Sequence, residues 1–356
     1  FKQKTAYEIS LGLVGSEMCI RDRFDTTNVS NPCFVKKIHV LGEVKGVALK
    51  DGYMFLGARN DDVWVINVTD PEKPKEVAFI YNGGRNGGID IQGDYLYIGG
   101  VWALLSIVNI SDPENPTFVV KNFGKPTGMP VLVDGNWFYG MWTVSDDHIL
   151  VYNISDPANP SLYYDFNMSK YIEGRMLDFA KYKDNYLLVA STDGLFVVDI
   201  TNKSNFKVVG SWSEEYVSAV DIFGSNAVVV YNKYLTVVDL SDPTNPVEIG
   251  SVFFPGKNCE EVLVFSNYAF VGAFNHIITV NLSDPTNPVV EDEIELPGGR
   301  IGSNRLKTDG IYLYAGAADY TAYILQIQGL PLTIYDLKIT NIDQDRATIT
   351  WRTNYE

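Results

Sequence analysis

Short apolar runs separated by polar turns recur along most of the 356-residue chain. One stretch shows the unit. GIDIQ at 88–92 predicts a short strand, and Gly93-Asp94 a turn after it. YLYIGG at 95–100 and LLSIVNI at 104–110 predict a second and a third strand. Asp112-Pro113 stops the third, and TFVVKN at 117–122 predicts a fourth, followed by a Gly- and Pro-bearing loop. Gly-Asp and Asp-Gly pairs suit tight hairpins between such strands.

A phrase repeats with this unit: an apolar strand, Asn or Asp, an apolar residue, Ser or Thr, then Asp-Pro-x-x-Pro. It reads NVTDPEKP at 67–74, NISDPENP at 109–116, NISDPANP at 153–160, DLSDPTNP at 239–246 and NLSDPTNP at 281–288. Worn copies are DITNKSNF at 199–206 and DTTNVSNP at 25–32. A period near 42 residues in an all-β chain predicts propeller blades of four strands each.

The phrase has a mechanical reading. Asp at the first turn position can accept a hydrogen bond from the N–H two residues on, and Pro pre-sets φ for the next. The second Pro is expected in the outermost strand, where an edge tolerates a missing N–H. The turn role is preferred to metal binding because the phrase recurs in each period with no added ligands.

Three-strand cores begin near Lys45, Gly88, Gly128, Met176, Val217, Cys259 and Ser303, which predicts seven blades. Six carry their own fourth strand. The seventh ends at TAYILQI, 321–327, without one. FVKKIHV at 34–40 follows a worn turn, as a fourth strand should. It is expected to complete the last blade, closing the ring and removing a sheet edge.

The phrases VWVINVTDPEKP at 63–74, LSIVNISDPENP at 105–116, LTVVDLSDPTNP at 235–246 and IITVNLSDPTNP at 277–288 resemble the LVIVD-repeat family. The resemblance spans residues 25–328, and the copy at 194–206 departs from it by losing both prolines. It implies a β-propeller, commonly in surface or secreted proteins of bacteria and archaea. It supplies no catalytic motif.

The expected organisation is therefore a seven-bladed propeller over residues 24–329, flanked by two different segments. PLTIYDLKITNIDQDRATITWRTNYE, 331–356, looks like the opening of a fibronectin type III-like sandwich, a domain of about seven strands. It has a first strand (YDLKITNI) and a second (ATITWRT) with an inward Trp351, so residues 330–356 are expected to be a truncated stub. Residues 1–23, FKQKTAYEISLGLVGSEMCIRDR, resemble peptides translated from sequencing-library adapter. They are expected to be a non-native leader outside the fold. A signal peptide is the alternative, but ISLGLVG is short and flanked by Glu8 and Glu17.

Composition narrows the function. With 28 Lys+Arg against 44 Asp+Glu, the net charge is −16, which argues against nucleic acid and anionic membranes as partners. Hydrophobic residues at 46% are ample for a core. No apolar run is long enough to span a membrane as a helix. Three cysteines without CxxC spacing and three histidines argue against a structural zinc site, and no cofactor is expected. No GxSxG, HExxH, Walker loop or dinucleotide fingerprint occurs.

Propeller ligands usually meet the face built by second-to-third strand loops and by blade-to-blade loops. The former contribute Arg59, Asp61, Asp62, Trp102, Trp142, Asp146, Asp147, Asp193, His276 and Asp319. The latter contribute Arg85, Lys125, Glu173, Arg175, Glu214, Glu215, Lys257 and Arg300. Arg85, Arg175 and Arg300 precede innermost strands and could line the channel mouth, where guanidinium suits a carboxylate or sulfate. Solvated charge or a salt bridge to a neighbouring acid is the plainer account. Trp102 and Trp142, in corresponding loops of adjacent blades, could stack on a sugar or anchor a protein, or simply pack between blades. His148 beside Asp146 and Asp147 allows a general-base reading, but strand neighbours point to opposite faces. Seven N-x-Ser/Thr sequons, from Asn28 to Asn281, mostly coincide with the repeat phrase and read as products of the turn.

These readings converge on a non-enzymatic, monomeric, extracellular or cell-surface propeller that binds a protein or carbohydrate ligand on its loop face. The rival is an extracellular polysaccharide hydrolase or lyase using the same face. Carboxylates and His converging in the central channel would favour the rival.

Overall fold

A computed structural model describes residues 32–58, 62–83, 86–142, 147–212, 216–298 and 300–327, and the backbone of 334–343 and 346–353. The side chains of 62, 86–87, 101–103 and 303–304 fall outside it. The leader at 1–23 and the worn turn at 25–31 lie outside the described residues, which contain strands and turns and no helix.

The fold is an all-β propeller of seven four-stranded blades. Blade 1 runs from Val44 to Tyr81, and blades 3 to 6 occupy 131–167, 176–212, 219–253 and 261–295. Each is an antiparallel meander whose strands are ordered from the channel outward. Innermost strands pack in the cyclic order 1-2-3-4-5-6-7-1, so the ring is closed. Blade 7 contributes Ile301–Thr308, Tyr312–Ala317 and Thr321–Gln326, and its outer strand is Cys33–His39. Lys37 pairs with Tyr323 and His39 with Thr321. The N-terminal strand thus completes the last blade, as expected from the missing fourth strand.

Blade 2 departs from the expected four separate strands. Its second and third merge into one 15-residue element, Tyr95–Asn109. The Ile110 N–H donates to the Asp94 carbonyl at 2.8 Å, so this element doubles back as a hairpin. The same bond joins Val68 to Gly52 and Leu240 to Ser225 in other blades.

The core lies between blades. Leu187 and Val189 pack against blade 3, whereas Leu188 and Ala190 pack against blade 5. Alternate side chains of one strand thus enter two different interfaces, because successive residues point to opposite sheet faces. This explains the near-continuous apolar runs of the inner strands, and each fully buried large side chain contributes roughly 1.5–3 kcal/mol.

The Asp-Pro turns behave as their chemistry predicts. Asp112 accepts from the Glu114 N–H at 3.1 Å, Asp156 from Ala158 at 3.0 Å and Asp284 from Thr286 at 3.0 Å. In the worn copy, Asn202 takes the same role toward Ser204 at 3.1 Å, so the turn survives loss of both prolines. The second Pro differs from expectation. It stands immediately before the outer strand, as Pro116 before Thr117–Thr127, where no ladder N–H is required.

Ile334–Asp343 and Arg346–Thr353 pair as an antiparallel hairpin, matching the two strands expected of the tail.

Candidate functional site

The second-to-third turns and the blade connectors share one face. The Val217 N–H donates to Ser191, and Ile301 to Phe274, each connector bonding a turn of the preceding blade. At the channel mouth on this face lies a cavity of about 400 Å³. Its charged lining is Glu43, Lys45, Arg175, Glu260, Arg300 and Arg305, four cations against two anions in a chain of net charge −16.

Arg175 is held in place by its loop. Asp193 accepts from the Gly174 N–H at 3.0 Å and also from Glu173, and Thr192 Oγ1 accepts from the Arg175 N–H at 2.8 Å. Burial alone would raise the Asp193 carboxyl, but these N–H donors and Thr192 bring it below the usual carboxylate range. The Arg175 side chain is exposed, and among the described residues its guanidinium makes no hydrogen bond or ion pair. Its charge acts on the Asp147 carboxyl, which it lowers against the effect of burial.

The other cations are paired. Arg300 binds both carboxylate oxygens of Glu260 on the preceding connector, with Nε at 2.6 Å from Oε2. Such a fork is the strong form of this contact. Arg305 is 5% exposed, donates to Glu43 at 2.8 Å and to the Arg300 carbonyl at 3.3 Å, and its Nε has no partner among the described residues. Lys45 shares the same Glu43 oxygen, Oε1, with Arg305. Burial pushes the Glu43 carboxyl up, but Lys45 and Arg305 together outweigh it and hold it below its ordinary value.

Below the mouth, inner-strand carboxylates join neighbouring blades. Asp90 accepts from the Val133 N–H at 2.7 Å, Asp178 from Val220 at 3.0 Å, Asp221 from Val264 at 2.7 Å and Glu261 from Arg305 at 3.2 Å. Burial raises Asp90 and Asp221, partly offset by Lys307 and the N–H donors. Glu261 is raised well above the usual range by burial and by nearby Asp178.

The histidines stand elsewhere. His39 ends the outer strand of blade 7, and His148 and His276 begin third strands. His148 Nδ1 contacts Asp165, which Lys125 reaches at 2.6 Å. Blade 6 repeats the arrangement: His276 lies 3.3 Å from Glu293, which also pairs with Lys257. Asp147 turns away from His148 and accepts from the Met176 N–H at 3.1 Å, as strand alternation requires.

Of the residues singled out from sequence, Arg175 and Arg300 meet at the mouth. Arg85 lies outside the described residues, as do Arg59, Asp61, Asp146, Glu214 and Glu215. Trp102 and Trp142 are not in loops. Trp102 falls within Tyr95–Asn109, with its side chain outside the description, and Trp142 ends the strand Trp137–Trp142, paired with His148. The ladder simply continues through the expected loop. The Trp142 ring is half-buried beside His148, with Lys125 5.7 Å from its centre. Glu43, Lys45, Glu260 and Arg305 were not foreseen, having no local motif.

Ring, blades and channel mouth define a seven-bladed β-propeller with its charged mouth on the loop face. Two solved propellers share the fold. The WD40 beta propeller domain of Doa1 matches with a TM-score of 0.64 at 13% identity, covering 83% of this chain and 97% of that one. The Myceliophteria thermophila Cps50 (Swd1) beta-propeller domain matches at 0.63 and 12%, covering 84% and 100%. Such identities speak to architecture alone. No curated protein matches the chain in sequence. The LVIVD repeat model matches residues 41–82, 83–121, 181–213, 216–253 and 256–293, just over half of the chain. The protein belongs to the LVIVD repeat family. The matched segments include the copy without prolines, but leave out the phrase at 153–160 and the last blade.

Proposed function

We propose that this is a non-enzymatic binding and scaffold module, secreted or displayed at the cell surface, that takes a protein or glycan ligand on its loop face. The observation that carries the reading is the cationic mouth of an otherwise acidic chain, with Arg175 pre-positioned by Asp193 and Thr192. An exposed guanidinium on a loop whose backbone is held, next to a cavity, suits the carboxylate or sulfate of a ligand. The hydrolase or lyase alternative finds less support. The channel carboxylates serve as acceptors for neighbouring blades, and the three histidines lie on third or outer strands. The export reading rests on the family and on charge. No helix among the described residues is long and apolar enough to cross a membrane. The tail hairpin fits the opening of a fibronectin type III-like domain.

Binding is measured against carboxylated and sulfated glycans, their neutral counterparts, and acidic and neutral peptides. Anionic ligands are expected to bind, and Arg175→Gln to weaken them, with affinity falling as salt rises. Equal binding of neutral ligands would refute the anion reading. Turnover in a hydrolase and lyase panel, lost in His148→Ala with Asp146→Ala, would overturn the non-enzymatic one.

A further inference from the structure

Large apolar side chains are exposed on the loop face, and the conformation of two is informative. Phe274 is 59% exposed with φ of +55°, and Tyr320 is 55% exposed with φ of +66°. This left-handed region disfavours bulky side chains and favours Gly, Asn and Asp; elsewhere among the described residues it is taken by these and by Lys183 and Ser266. Blade 5 shows what the turn needs. Its corresponding residue is Asn232, at φ of +48°, and the Asn232 carbonyl accepts from Cys259 at 2.7 Å just as the Phe274 carbonyl accepts from Ile301 at 2.8 Å. Asn therefore meets the structural duty of the position, and Phe274 brings an exposed ring at a conformational cost. Strained residues of this kind are found at functional sites.

The rings stand on the same loop face as the charged mouth, outside its lining and tied to the connectors that lead into it. Phe274 bridges to Ile301, next to Arg300. The Tyr216 hydroxyl lies within electrostatic reach of both Glu260 and Arg300. The Tyr320 carbonyl accepts from Val40 at 2.9 Å, which sets Tyr320 beside Leu41, itself 75% exposed. Exposed aromatic side chains on one face with Arg are the composition of protein-binding surfaces.

We propose that this face docks an acidic, apolar-flanked segment of a partner protein. A carboxylate side chain of the segment enters the mouth beside Arg175, and its flanking apolar side chains rest on Phe274 and Tyr320. The proposal rests on the binding-module reading above and narrows it to a protein partner. Charge complementarity selects the acid, since the mouth carries excess positive charge. The dispersed aromatic and aliphatic rim selects a chain with apolar side chains over an anionic polysaccharide.

The test is a selection from a displayed random-peptide library on the whole protein. Selected peptides are then synthesised and titrated by fluorescence anisotropy, beside polygalacturonate as the glycan probe. Phe274→Asn uses the side chain that blade 5 carries at that position, Tyr320→Asn places a residue that tolerates the left-handed region at the other, and circular dichroism checks the fold. Selected peptides are expected to share Asp or Glu between apolar residues, and to bind at least ~10-fold more weakly to the double variant and to Arg175→Gln. Enrichment no greater on the wild type than on the double variant would overturn the proposal, as would equal binding of Gln-for-Glu peptides. Polygalacturonate binding that needs Arg175 but not the two rings would sink the protein-partner proposal and leave the binding-module reading standing. Failure of both probes would sink both.

Discussion

Glu43→Ala is expected to strike the ring where its ends meet. Glu43 precedes the first inner strand, and Arg305 lies 262 residues later in the last blade. The Arg305 side chain is 6% exposed and Glu43 16%, so the pair is largely shielded from water. Two charges about 4 Å apart attract by roughly 4 kcal/mol at an effective dielectric near 20. Removing one partner of a buried pair typically costs about 3–5 kcal/mol. Among the described residues Arg305 keeps a 3.3 Å hydrogen bond to the Arg300 carbonyl and the more distant charges of Glu261 and Glu260, and its Nε has no partner, so a loss at the lower end, about 3 kcal/mol, is expected. Urea unfolding at neutral pH measures it, and a Glu43→Ala, Arg305→Met cycle isolates the coupling. The double variant should be more stable than Glu43→Ala alone, since no uncompensated guanidinium is left. The pH dependence carries a sign. Glu43 is held below its ordinary value of 4.5, so its contribution is complete above 4.5 and is lost as pH falls through the folded value. Glu43→Ala should lack this acid-limb loss. A cost under about 0.5 kcal/mol with no coupling would place the pair among solvated surface bridges. Strand pairing by Cys33–His39 would then close the ring alone.

Other consequences are measurable in the same way. Glu261→Gln keeps an acceptor for the Arg305 N–H while removing a buried charge beside Asp178. Because the Glu261 value is raised, wild-type stability should fall as pH rises from the ordinary glutamate range through the folded value. The Gln variant should be flatter there and at least as stable at pH above it, as followed by thermal unfolding. Phe274→Asn should raise the melting temperature, by relief of up to about 1 kcal/mol of left-handed strain; a lower value would contradict the strain argument. Asp221→Ala leaves the Ile222 and Val264 N–H groups without their acceptor and should cost about 2–4 kcal/mol, with Asp221→Asn recovering part of it. The Cys259 thiol, pushed up to about 12 by burial and Glu260, should react with a thiol reagent only on unfolding.

Much of the architecture could be read along the chain, and less of the site. Arg175 and Arg300 were visible because each precedes an inner strand in a Gly-bearing loop. Their states differ for a reason with no local signal: Glu260 reaches Arg300 from the preceding connector, and nothing described reaches the Arg175 guanidinium. Asp193 appeared as a ligand-face acid, yet its carboxylate is engaged by the Glu173 and Gly174 N–H groups. Phe274 was passed over although a clue existed. It occupies a two-residue turn where blade 5 carries Asn232-Lys233. Trp142 was assigned to a loop because apolar patterning does not mark where a ladder ends.

The sequence by itself determined the period, the blade count, the turns and the closing strand. Each follows from local rules, since every repeat must form the same meander and bury both faces of its strands against its neighbours. The tertiary structure alone decided the chemistry of the mouth. Glu43 and Lys45 stand at the start of blade 1, Arg175 before blade 4, Glu260 before blade 6, and Arg300 and Arg305 at the start of blade 7, and closure of the ring brings their charges together. Which cation is paired and which stays exposed depends on distances across that closed ring, and these have no counterpart in local sequence.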